Sequence, residues 1–259
     1  MWWLIPLFLI GFTAVHIFKM MRLYLVLMEH KIGFGKFVLL YLKTTLVNLI
    51  IPYKLGELYR IFCINKETKH WQVGVLSILV DRFFDTLALC VILLPLDLYV
   101  FGEASVITMA FFVLMALIVA CYVSVLPTYR YLNRYIIKEK SSPRAMTALK
   151  ALDVVKIWYD FTQNLISGRF ALILLFSFGG WFCEIGALQL FGAWLLSYNN
   201  GQTPLFEISD FNSYIQAIFG MGDSFILRPY TVASIILLFV FTLIAFLALL
   251  IKRGSKKKA

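Results

Sequence analysis

Asn48-Leu-Ile-Ile-Pro52-Tyr-Lys54-Leu-Gly56-Glu57-Leu-Tyr-Arg60 ends and follows an apolar run, Phe37 to Ile51, that is too short and too polar to cross a bilayer comfortably. As an α-helix this run rises only about 22 Å, at ~1.5 Å per residue, against a hydrocarbon core of ~30 Å. It also carries Lys43, Thr44, Thr45 and Asn48. Pro52 lacks the amide donor that would continue the helix, and Gly56 permits the chain to turn back. Residues 37–64 therefore read as a helical hairpin that enters and leaves the membrane on one side, with the charges Glu57 and Arg60 on its returning arm.

The rest of the chain sets the context for that hairpin. Of its 259 residues, 61% are hydrophobic and only 15% charged, a balance outside the range of soluble domains and typical of an integral membrane protein. Apolar runs long enough to span lie at about Trp2 to Phe18, Gln72 to Leu96, Ser105 to Leu126, Phe170 to Ser197 and Pro229 to Ile251. The first has no basic residue before it and no small-x-small site after it, so it is expected to be retained as a span. The fold class expected is all-α and polytopic: five full spans, one re-entrant hairpin and interfacial amphipathic helices in a single integral membrane domain.

Charge distribution orients the spans. The segment 127–169 carries Arg130, Arg134, Lys138, Lys140, Arg144, Lys150, Lys156 and Arg169 against Glu139, Asp153 and Asp160, and the tail 252–259 carries five further cations. The positive-inside rule makes both cytoplasmic, while Asp97 with Glu103, and Glu207 with Asp210 and Asp223, mark outer loops. Lys19, Arg22, Lys31 and Lys36 on one flank of the hairpin, and Lys66 with Lys69 on the other, place both its ends inside. A full crossing by residues 37–51 would invert every later loop. Met20 to Lys36 reads as an interfacial elbow, with Met20, Leu23, Leu27 and Met28 at helical spacing. Ser142-Pro143 reads as a helix start, and Met146, Leu149, Leu152, Val155, Trp158 and Phe161 recur on one face of an amphipathic helix. The formal charge of +10 thus belongs to membrane orientation and anionic lipid, and nucleic acid is not an expected partner.

The chemistry-bearing residues cluster. Asp81-Arg82-Phe-Phe-Asp85 lies within the run 72–96, and Glu184 lies at similar depth in the run 170–197. Asp81 and Asp85 share a helix face, and Arg82 is spaced to pair with Asp85. Each such charge costs about 2.5–3.5 kcal/mol at the centre of a spanning helix, so charges there are paired or line a cavity. Arg60 and Arg82 are the expected neutralising partners of Glu57, Asp81 and Asp85. The same set suits a lipid headgroup: carboxylates Glu57, Asp81, Asp85 and Glu184 for an amine, and the planar forks of Arg60 and Arg82, with Lys54 beside them, for a phosphate. Cys63, Cys90, Cys121 and Cys183, and His16, His30 and His70, show no metal or catalytic spacing. No glycine-rich phosphate loop, HExxH or nucleophile elbow is present, so no cofactor, metal or catalytic residue is expected.

Asn48, Pro52, Gly56-Glu57 and Arg60, followed by a helix bearing Asp81-Arg82 and Asp85, resemble the flippase-like membrane domain of lysylphosphatidylglycerol synthases and their stand-alone relatives. The resemblance is specific over about 36–96 and rests on hydropathy elsewhere. It implies transbilayer movement of an aminoacylated phospholipid, or of a related glycolipid or polyprenyl-linked lipid, in the plasma membrane of a bacterium or archaeon. Relatives carry a Pro-Gly-Gly-x-Gly-like turn and an acid in the C-terminal half; here only Phe219-Gly-Met-Gly-Asp223 stands near that place. The soluble synthase domain of the fused enzymes is absent from these residues, so the resemblance implies that a separate lipid-modifying synthase or glycosyltransferase makes the lipid. Two other classes fit the residues: a scaffold or regulator of an envelope lipid or polysaccharide synthase, and a small integral enzyme acting on lipid-linked substrates.

Overall fold

The computed structural model describes residues 2–30, 32–51, 55–139, 143–199 and 201–256. Its helices are α1 (Leu4–Leu27, with a 3-10 turn at Met28–His30), α2 (Phe34–Ile50), α3 (Leu55–Thr68), α4 (Trp71–Val100), α5 (Val106–Glu139), α6 (Pro143–Ile166), α7 (Phe170–Tyr198), α8 (Asp210–Ile218) and α9 (Leu227–Lys256). Five of them, α1, α4, α5, α7 and α9, are long and apolar enough to span, and they coincide with the five runs read from the sequence. The protein is an all-α polytopic membrane protein.

Short helices α2 and α3 form the hairpin. A Cβ on Gly56 would stand 2.2 Å from the Asn48 Cα, so only glycine lets the two backbones approach this closely. Further along, Arg60 reaches back to Thr44 and Thr45. The register is antiparallel, and the free ends near Phe34 and Thr68 therefore lie together. Pro52 and Lys54, assigned to the turn and to the site, fall outside the described residues, as does Ser142.

One end of the bundle gathers the C-terminus of α1, the outer ends of the hairpin, the N-terminus of α4, and the α6–α7 junction. Tyr24 packs on Phe34 and Phe37, Trp71 on Trp158, and Arg169 binds the Leu25 carbonyl and Glu29. Gly35 meets Leu249, which brings the C-terminal part of α9 to this same end. Here also lie Lys36, Lys66 and Lys69. At the other end Phe8, Phe191 and Tyr230 cluster.

Three expectations change. Met20 to Lys36 is not an interfacial elbow: α1 continues unbroken to Leu27 because Leu23, Val26 and Leu27 prolong its apolar face into the core. The segment after Leu126 does not begin as a loop: α5 stays helical through Pro127 to Glu139, and α6 returns antiparallel along it, stacking Tyr159 on Tyr122. Asp97, read as an outer-loop marker, is fully buried. Its carboxylate accepts from the Ser105 amide (2.9 Å), the Thr108 hydroxyl (2.6 Å) and the Asn212 amide group, tying α4 to the start of α5 and to α8.

Candidate functional site

Between the hairpin and the spans lies a cavity of about 190 Å³. His16, Lys19 and Arg22 come from α1, Tyr41, Thr45 and Asn48 from α2, Arg60 from α3, and Asp81, Arg82 and Asp85 from α4. Glu184 of α7, Tyr214 of α8, and Tyr230, Thr231 and Ser234 of α9 complete the polar wall.

Arg22 organises it. The side chain is 2% exposed, with Nε 2.6 Å from Asp81 Oδ1 and Nη1 2.5 Å from Asp85 Oδ1. Nη1 also donates to Ser177 Oγ on α7 at 3.3 Å. This corrects the expected pairing: the buried partner of both aspartates is Arg22, which stands on α1 across from α4, and not Arg60. Arg82 is a looser partner, 39% exposed, at 3.4–3.5 Å from Asp85 and Asp81. Its Nε lies 3.3 Å from Glu57 Oε1, without hydrogen-bond alignment. Glu57 thus stands behind Arg82, outside the cavity lining.

A second pair joins α1 to α7. Lys19 Nζ lies 2.5 Å from Glu184 Oε2 and 5.2 Å over the Trp181 ring. The Tyr214 hydroxyl donates to the other carboxylate oxygen at 3.5 Å. Burial, and then the Glu184 charge, push the Tyr214 phenol well above its ordinary pKa, so it stays a neutral donor.

Arg60 differs. It is 3% exposed and has no carboxylate within ion-pair distance among the described residues. Nε donates to Thr44 Oγ1 (3.2 Å), Nη2 donates to Thr45 Oγ1 (2.8 Å), and the guanidinium carbon sits 5.8 Å over the Tyr41 ring. Four cations (Lys19, Arg22, Arg60, Arg82) face three carboxylates (Asp81, Asp85, Glu184) on the described wall. Glu57 stands behind Arg82 as a fourth acid, and Arg60 is the cation of this wall with no ion-pair partner among the described residues.

The structure therefore brings Arg60, Asp81, Arg82, Asp85 and Glu184 to one cavity, with Glu57 at its edge. Lys19 and Arg22 were absent from the expected set because they directly follow an apolar run, where cations mark topology. The continuing apolar spacing of Leu23, Val26 and Leu27 is the signal that the helix, and its core-facing register, goes on past them. Phe219-Gly-Met-Gly-Asp223 forms an exposed turn after α8, away from the cavity.

Fold and cavity together define a polytopic α-helical membrane protein with a charged cavity between its hairpin and its spans. The chain belongs to the family of the lysylphosphatidylglycerol synthase transmembrane region, whose model matches residues 1–193. No curated protein and no solved structure matches it. Membership ties the chain to a membrane lipid-related role. The matched region includes every charged residue of the cavity, while Tyr214, Tyr230 and Ser234 come from helices beyond it.

Proposed function

We propose that this chain is a lipid flippase or lipid-transport factor that takes the phosphate-bearing headgroup of a membrane lipid into the cavity while the acyl chains stay outside. The carrying observation is Arg60: a buried guanidinium with no carboxylate at ion-pair distance among the described residues, held by two threonine hydroxyls beside a cavity. Burying an unpaired charge is costly, and a transient anionic guest offsets that cost. A planar fork also suits a phosphate's oxygens. At about 190 Å³ the chamber falls below the ~300–1,000 Å³ of drug-sized sites, which limits its guest to a headgroup or part of one.

The lipid class favoured is an aminoacylated phospholipid or a related glyco- or polyprenyl lipid, supplied by a separate lipid-modifying synthase or glycosyltransferase. Asp81, Asp85 and Glu184 are held by internal cations, so an amine would have to displace Lys19 or Arg82 to reach them. The same pairing argues against covalent chemistry, since none of these acids is free as a general acid or base. The shared end of α1, the hairpin, α4 and α9 carries Lys36, Lys66, Lys69 and Arg169, and we place it, with the C-terminus, on the cytoplasmic side of a bacterial or archaeal plasma membrane.

The test is lipid movement in proteoliposomes with the wild type, Arg60→Gln and Arg60→Lys. Losing charge-assisted bonds to a phosphate should slow movement by roughly tenfold to a hundredfold in Arg60→Gln. Arg60→Lys should recover part of it, keeping the charge without the fork. Unchanged movement by a folded Arg60→Gln protein would sink the proposal.

A further inference from the structure

A headgroup held in a chamber this small remains joined to acyl chains that belong in the bilayer, so the wall must let a linker through. A larger apolar cavity, of about 540 Å³, lies among α4, α5, α6 and α7 but shares no lining residue with the polar one, so the place to look is an apolar cavity that does. One such cavity, of about 290 Å³, lies among α1, α2 and α9, lined by Ile17, Met20, Val38, Leu42, Phe241 and Ile244. Thr13 also faces it, but its hydroxyl is spent on the Leu9 carbonyl at 2.7 Å. This groove is apolar and sits on two of the spanning helices, α1 and α9.

The polar and apolar cavities share two lining residues, His16 and Tyr41. His16 Nδ1 and the Tyr41 hydroxyl are 3.2 Å apart, hydrogen-bonded where the two cavities share their lining. The Tyr41 ring also covers the Arg60 guanidinium. Resting on the headgroup reading above, we infer that the α1–α2–α9 groove binds an acyl chain of a glycerophospholipid whose phosphate sits at Arg60, and that the His16–Tyr41 pair is the partition its glycerol backbone passes. An anion arriving at Arg60 competes with the face of the Tyr41 ring for the same cation, so headgroup entry loosens the residue that closes the passage. The headgroup site and the portal are thereby coupled through one side chain.

Two measurements on the full chain separate this inference from the reading it rests on. The first is the thermal shift given in detergent by a water-soluble headgroup, glycerophosphoglycerol, in the wild type and in Arg60→Gln. The second is photolabelling in nanodiscs by a phospholipid carrying a diazirine midway along one acyl chain, with adducts mapped by mass spectrometry. Adducts are expected on Val38 to Leu42 and on Phe241 to Ala245. Ala245→Phe, which fills the groove without touching the polar chamber, should lower them by about tenfold. That variant should keep the wild-type headgroup shift. An Arg60-dependent headgroup shift, with adducts absent from the groove or unmoved by Ala245→Phe, would overturn the portal and leave the headgroup site standing. A wild-type protein showing no Arg60-dependent shift would overturn both.

Discussion

Arg22 and Arg60 are buried to nearly the same degree in the wall of one cavity, and their surroundings differ in kind. Arg22 closes on two carboxylates and a serine; Arg60 leans on two threonine hydroxyls and an aromatic face. Removing Arg22 leaves Asp81 and Asp85 with only the looser Arg82 as a partner, so Arg22→Met should cost roughly 3–5 kcal/mol. Adding Asp81→Asn and Asp85→Asn to it should restore most of that loss, because the charges requiring compensation are then gone. Arg60→Met should be neutral or stabilising by about 1 kcal/mol, since it removes an uncompensated buried charge. Unfolding midpoints in detergent check all three variants. A loss from Arg60→Met as large as that from Arg22→Met would make Arg60 a structural residue. The sequence reveals which acids and arginines belong near one another, because ionisable residues inside apolar runs stand out. It does not reveal which arginine takes which acid: that depends on α1 crossing α4 at Arg22, a contact between residues 59 apart.

The hairpin is the element where sequence and structure are easiest to connect. Gly56 lies in the first turn of the returning arm, and its close approach to Asn48 goes with bringing Arg60 back beside Thr44. Gly56→Ala should separate α2 from α3 at a cost of about 1–3 kcal/mol, because the added methyl meets backbone and not a movable side-chain end. Lipid movement should fall more than stability, since Arg60 shifts with its helix. Between α3 and α4 the chain turns tightly with Lys69 at a φ of 61°, a left-handed conformation that costs a non-glycine residue roughly 1–2 kcal/mol. Lys69→Gly should therefore raise the unfolding midpoint. The five spans were legible from length and hydropathy. The run of α5 through Pro127, and its antiparallel partnership with α6, were not: a proline and a rising density of cations read as the end of a span, whereas the stack of Tyr122 on Tyr159 before it and the bond from Tyr129 to Asp153 after it hold the two helices together.

At the scale of the molecule, the antiparallel hairpin and the registers of α1, α4 and α9 sort the termini of the helices between two ends. Single cysteines placed at Lys36 and at Lys69, in a chain cleared of its native cysteines, should react from the same side of the membrane, and one at Glu103 from the other. Labelling of Lys36 and Lys69 positions from opposite sides would mean that α2 crosses fully. The same arrangement bears on how the protein is made. Arg22 leaves the ribosome well before Asp81, and Lys19 precedes Glu184 by 165 residues, on the order of 10–30 s of synthesis at ~5–20 residues per second. Through that interval α1 has cations in its length and no acids to meet them, at a cost of about 2.5–3.5 kcal/mol each at full depth. The first helix is thus expected to linger at the interface with its cations in water and to settle only as α4 and then α7 arrive. Ribosome-bound chains halted before and after α4 should show that change as a loss of reagent access to position 22. The clamp that fixes the finished cavity also makes two later-inserted helices, α4 and α7, a condition for seating the first.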